Sequence, residues 1–265
     1  MKTQNIVPLI GVIACFAAAA GCGVRDGSVA PAGAGPKVVA ASTGYAFPTI
    51  GTRRKAPAGT GDVDSAETAA SSRPEDSAAR RKLGMAYYAS GGYRAAATAL
   101  EKVVAATPDD GEAWMYLGFA RMGAGLPEAA VEALDRASKA RIPAASRAAA
   151  LAEAGTVEYQ ALRDDKKAME YFRKALELAP KEGSAALALG TDAAQRKDRG
   201  GARGYFEIAA KALPAGPDRA SVYACLGRLS EENGDKAGAQ AWYRKAVADD
   251  PDNAWARTRV TREGR

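Results

Sequence analysis

The sequence predicts an all-α array of stacked helix pairs, and three observations carry that prediction. Alanine dominates the hydrophobic 47% of the 265 residues, while Val, Ile and Thr are sparse in the C-terminal two-thirds. Alanine loses no side-chain entropy in a helix, so this composition favours helices over sheet. Landmarks recur at a fixed spacing: Leu83-Gly84 and Leu117-Gly118 lie 34 residues apart, as do Pro180 and Pro214. Glycines at 91, 125 and 234 fall between helix-like stretches, where a turn needs positive φ.

The N-terminus reads as an address rather than as fold. Met1 to Asn5 carries one positive charge, Ile6 to Ala20 is apolar, and small residues follow in Ala19-Ala20-Gly21-Cys22. The apolar run is too short to span a bilayer. The segment resembles the lipobox of bacterial lipoproteins, with residues 1–21 as signal peptide and Cys22 as the lipidated residue. Ala19 departs from the Leu usual there. Ala18-x-Ala20 would also suit an ordinary signal peptidase, and Val12 to Cys15 forms a second, poorer lipobox. Gly23 after the cysteine, rather than Asp, points by the same resemblance to the outer membrane. Two or three acyl chains suffice for stable anchoring.

Residues 22–72 are rich in Ala, Gly, Ser, Thr and Pro and show no hydrophobic period, so they read as a flexible tether. Such a chain has an end-to-end distance of about 40 Å. A docking strand around Lys37–Phe47 is the alternative for part of it.

From Ser77 the pattern repeats. The first copy has Leu83, Gly84, Tyr87, Gly91, Tyr93, Ala96, Leu100, Val103 and Pro108. The second has Trp114, Leu117, Gly118, Gly125, Ala130, Leu134 and Ala137. The third has Ala168, Phe172, Ala175, Leu176 and Pro180, but its first helix is out of step, because Gly155 to Ala168 is 13 residues where the others give 12. The fourth has Leu189, Gly190, Ala202, Phe206, Ala209 and Pro214; the fifth has Tyr223, Leu226, Gly227, Gly234, Ala239, Tyr243, Ala246 and Pro251.

This pattern resembles the tetratricopeptide repeat (TPR) family over residues 77–265. The resemblance implies five helix-turn-helix units in 73–251, near 77–110, 111–144, 149–182, 183–216 and 220–253. Insertions fall near 141–148 and 215–219, and 252–265 forms a short capping helix and tail. It implies a right-handed α-solenoid, because one helix pair cannot bury its apolar face alone and neighbours must stack. It also implies a concave groove lined by the first helix of each unit. The groove positions include Arg81, Met85 and Tyr88, then Met115, Phe119 and Met122, and later Arg228. Methionine and aromatics make adaptable apolar surfaces, so a partner's peptide or helix is the expected ligand. The Lys/Asn/Arg clamp of chaperone-binding members is missing: Met85 and Tyr116 stand at two of its places.

Catalytic chemistry finds little to work with. Histidine is absent, removing the commonest general base and metal ligand. No phosphate loop and no C-x-x-C pair occur, so neither cofactor nor metal is expected. Asp109-Asp110, Asp164-Asp165 and Asp249-Asp250 sit at helix ends and read as caps. Cys225 reads as a small buried thiol. The formal charge of +6 is spread without a block of like charges, which argues against nucleic acid. Neither an enzyme nor a small-molecule binder is expected. The expectation is a lipid-anchored scaffold for envelope assembly, similar in layout to pilus-assembly TPR lipoproteins. An adaptor for wall hydrolases or proteases is the other reading.

Overall fold

The computed structural model describes residues 62–260; the expected signal peptide, Cys22 and the expected tether up to residue 61 lie outside the described residues, as do 261–265. Among the described residues there are helices and no strand. The first helix, α1 (Val63–Ser72), corrects the reading of the tether as running to residue 72. Asp62 caps it by accepting from Ser65 N at 3.3 Å, and it packs on the next helix, where the Tyr87 hydroxyl donates to Glu67 Oε1 at 2.5 Å. It buries no residue of its own, so its sequence shows no apolar stripe and only its alanine content marks it as helical.

Five pairs follow: α2 (Ser77–Ser90) with α3 (Tyr93–Ala106), α4 (Gly111–Gly123) with α5 (Pro127–Lys139), α6 (Ala144–Val157) with α7 (Asp165–Leu178), α8 (Gly183–Gln195) with α9 (Arg199–Ala212), and α10 (Pro217–Glu232) with α11 (Lys236–Asp249). A last helix, α12 (Ala254–Val260), packs on α11. Each pair packs internally, and the second helix of each packs on the first helix of the next, so the units pile up in chain order.

A glycine facing a large side chain forms the seam of every pair. A Cβ added to Gly84 would lie 2.5 Å from Leu100 Cγ, and one on Gly118 2.6 Å from Leu134 Cγ. Gly190 meets Phe206 at 2.7 Å and Gly227 meets Tyr243 at 2.6 Å. Gly155 meets Phe172 at 2.9 Å, so the third unit keeps the seam despite its irregular spacing. Leu100, Leu134, Phe172, Phe206 and Tyr243 are all fully buried, as are the facing alanines 96, 130, 168 and 202.

The extra residue of the third unit is absorbed at the end of its first helix. Residues Glu158–Leu162 form a π turn that continues α6. In the other units the closing bond spans five residues, as from Gly92 N to Tyr87 O or Asp198 N to Ala193 O; here Asp164 N reaches back six, to Glu158 O at 3.0 Å. The wider turn takes up one residue without disturbing either flank, as π-bulges do. The insertions near 141–148 and 215–219 lengthen helices instead. α6 starts at Ala144 rather than near 149, and α10 starts at Pro217 rather than near 220.

The carboxylates at helix starts act largely as read. Asp110 accepts from Ala113 N at 2.9 Å and Asp164 from Lys167 N at 3.0 Å. Asp76, Asp198 and Asp235 cap their helices in the same way. Asp249 does not cap: it holds Arg219 through two hydrogen bonds, from Nε at 2.5 Å and from the second guanidinium nitrogen at 2.9 Å. Cys225 is a buried thiol in no disulfide, as expected.

Candidate partner-binding surface

The first helices of units one and two carry six of the seven expected groove residues, and the structure divides them. Met85, Tyr88 and Phe119 are buried, at 4%, 7% and 6% exposure. They share one cluster with Tyr116, and with Ala150, Ala154 and Val157 of α6. The rings interlock: Tyr88 lies 5.9 Å from Tyr116 and 6.1 Å from Phe119, and Tyr116 meets Phe119 edge-on at 5.7 Å. Edge-on and tilted contacts of this kind add to the area that aromatic rings bury. These three residues therefore do not line an open surface as the sequence suggested; they are part of the core.

Met115 and Met122 remain half-buried against the same cluster. Arg81, near the start of α2, is engaged. Its guanidinium bonds Asp110 Oδ2 at 2.7 Å and approaches Glu112 Oε2 at 3.4 Å, tying α2 to the start of α4. A side chain so held is pre-positioned but not an idle cation. Arg228, far along the array on α10, hydrogen-bonds Glu232 Oε1 at 3.1 Å and lies 6.0 Å from the centre of the Trp255 ring. The structure thus sets Met115 and Met122 against one cluster, ties Arg81 to the start of α4, and leaves Arg228 on α10. On α11 the Tyr243 hydroxyl is buried, and burial, reinforced by nearby Glu231, holds its phenol well above the usual range.

Two residues escaped the sequence reading. The turn between paired helices takes positive φ at Gly91, Gly125 and Gly234, as expected, but also at Arg163 (φ 59) and Lys197 (φ 64). The signal was available: in units three and four the turn position holds a long basic residue where the others hold glycine. Among the described residues there is no group of His, Cys, Asp or Glu arranged to hold a metal ion, and no helix long and apolar enough to cross a membrane.

Helix pairs that share a glycine seam and stack in chain order define a helical-repeat protein of the kind that presents helix faces to other proteins. Models of the tetratricopeptide repeat match residues 81–120, 150–182 and 187–254, just over half of the chain, and the protein belongs to that family. TPR arrays are protein–protein interaction scaffolds, and their fold is typically non-catalytic. No curated protein sequence matches this one. Solved structures do. Pseudomonas aeruginosa PilF superimposes with a TM-score of 0.63 at 19% identity, over 75% of this chain and 89% of that one. PilW, a widely conserved type IV pilus biogenesis factor, gives 0.56 at 18% identity, over 74% and 87%. YrrB, a TPR protein with an unusual peptide-binding site, gives 0.52 at 17% identity, over 74% and 97%. At these identities the likeness is one of fold.

Proposed function

We propose that this protein is a scaffold anchored by lipid on Cys22 at the periplasmic face of the envelope, on the outer membrane, where it assists assembly of a multi-protein machine such as a pilus. The observation that carries the reading is a joint one. The Ala19-Ala20-Gly21-Cys22 lipobox precedes a TPR array, and that array matches most of PilF and of PilW in fold. Partners engage the first-helix face of units one and two, through Met115 and Met122, while Arg81 is held by Asp110 at the start of α4. Thioethers on a firm aromatic bed suit an apolar segment or amphipathic helix of a partner.

The anchor and the surface are tested separately. Cys22→Ala moves the protein from the membrane to the soluble fraction; continued membrane association counts against the anchor. Met115→Asp with Met122→Asp removes partners from a pull-down out of detergent-solubilised envelope, while circular dichroism stays that of the wild type. An unchanged set of partners removes the surface assignment. Phe119 is unsuited to this test, since a charge at that buried ring would unfold the unit.

A further inference from the structure

The turn between α8 and α9 closes with the same bonds as the glycine turns: Lys197 N reaches Ala194 O at 3.1 Å and Asp198 N reaches Ala193 O at 2.9 Å. Glycine adopts this conformation freely and lysine does not. The fold makes no use of the side chain, which is exposed and forms no ion pair among the described residues. That side chain stands at the mouth of a cleft of about 490 Å³ where units four and five meet. Ala194 and Leu229 form its apolar wall, and Arg199, Arg228 and Glu232 complete it.

Charge in the cleft is unbalanced. Glu232 bridges the two arginines, at 3.3 Å from Arg199 Nε and 3.1 Å from Arg228 Nε. One carboxylate therefore faces three cations. Both arginines reach Glu232 through Nε, and Arg199 and Lys197 have donors that bond nothing among the described residues. Beyond the cleft Arg228 lies 6.0 Å from the Trp255 ring, which the Arg259 guanidinium covers at 3.4 Å.

We propose that this cleft docks an acidic segment of a partner protein: a carboxylate enters between Lys197 and Arg199, and an adjoining apolar side chain rests on the wall formed by Ala194 and Leu229. Charge complementarity selects this occupant, and the strained lysine is the residue that supplies the uncompensated charge. The site lies apart from Met115 and Met122 and stands whether or not the surface in units one and two binds.

Fluorescence anisotropy with a labelled Glu-Leu-Glu-Leu-Glu-Leu peptide and the full chain in detergent tests it. The wild type binds this peptide at least tenfold more tightly than the Gln-Leu version, and the difference shrinks with salt. Lys197→Gly weakens binding about fivefold while raising the unfolding temperature by about 2 °C, since strain is relieved. Arg199→Gln also weakens binding. A lysine with only a structural role would give the thermal gain with binding unchanged, and that result overturns the proposal. So does equal binding of the two peptides, or Lys197-dependent binding to phosphatidylglycerol vesicles with none to the peptide.

Discussion

Units one, two and five turn between their helices on glycine; units three and four turn on arginine and lysine in the same left-handed conformation. The glycine seam between paired helices, by contrast, runs unbroken through all five. The difference separates what stacking requires from what it tolerates. At the seam a Cβ would stand within 2.9 Å of a fully buried side chain, with neighbours on every side and nowhere to move. At Gly125 and Gly234 a Cβ would meet nothing within 4 Å, so only backbone strain opposes a larger residue. Packing therefore dictates the seam, and the turns are free to carry side chains that serve something other than the fold.

The largest expected effect comes from breaking the invariant half of that comparison. Gly118→Val drives two methyls into Leu134 and Gly155→Val drives them into Phe172. Each costs about 3 kcal/mol, the upper range for overpacking a core, read as a drop in the urea midpoint. A loss under about 1 kcal/mol at both sites would mean that the pairs can slide apart and that the seam is not what sets their spacing.

The turns give a smaller effect whose sign differs between the two groups. Gly125→Lys destabilises by about 1 kcal/mol, because lysine must enter a region that costs it energy. Lys197→Gly stabilises by about 0.5–1 kcal/mol, the relief of strain being offset in part by glycine's greater freedom when unfolded. Calorimetry on the pair of variants reads both. Changes of the same sign would show that the two turns are not equivalent positions.

These regions also differ in how well the sequence revealed them. The small residues of the seam, such as Gly84 and Ala96, could be read directly, because close approach leaves them at a fixed spacing; that Leu100 packs on Gly84 within the pair shows only in the fold. The out-of-step spacing before Ala168 was visible too, but its solution was not: periodicity shows a surplus residue, and only the backbone shows that Glu158–Leu162 widens to take it. α1 was missed because a helix that buries nothing leaves no stripe. The family's positional rule named Met85, Tyr88 and Phe119 as groove residues. Whether such a ring points into a groove or is drawn into the core depends on its neighbours, and Tyr116 and the small alanines 150 and 154 of α6 settle that only in three dimensions. Lys197 left no mark of its own because a lysine gives no sequence signal of positive φ, whereas glycine does.

The smallest effect concerns charge, and it sets the two ends of the array against each other. Arg81 joins one unit to the next through Asp110, whereas Arg219 at the start of α10 closes unit five on itself through Asp249 at the end of α11. The hydrogen bonds from Arg219 hold the Asp249 carboxyl below the usual range. Burial pushes Asp218, the adjacent residue, the opposite way. The signs follow from linkage. Asp249 adds stability above the ordinary carboxylate value of about 4, and that contribution disappears as pH falls through its own lower pKa. Asp218 is penalised when charged, so its cost is present at neutral pH and fades as pH drops through its raised pKa toward about 4. Urea midpoints measured between pH 3 and 7 should therefore show Asp249→Asn weaker than the wild type at neutral pH and converging with it at acid pH. Asp218→Asn should be more stable than the wild type at pH 7, with the gain gone near pH 4. If Asp249→Asn matches the wild type at pH 7, the clasp contributes nothing to the end of the array, and unit five is held by its glycine seam alone.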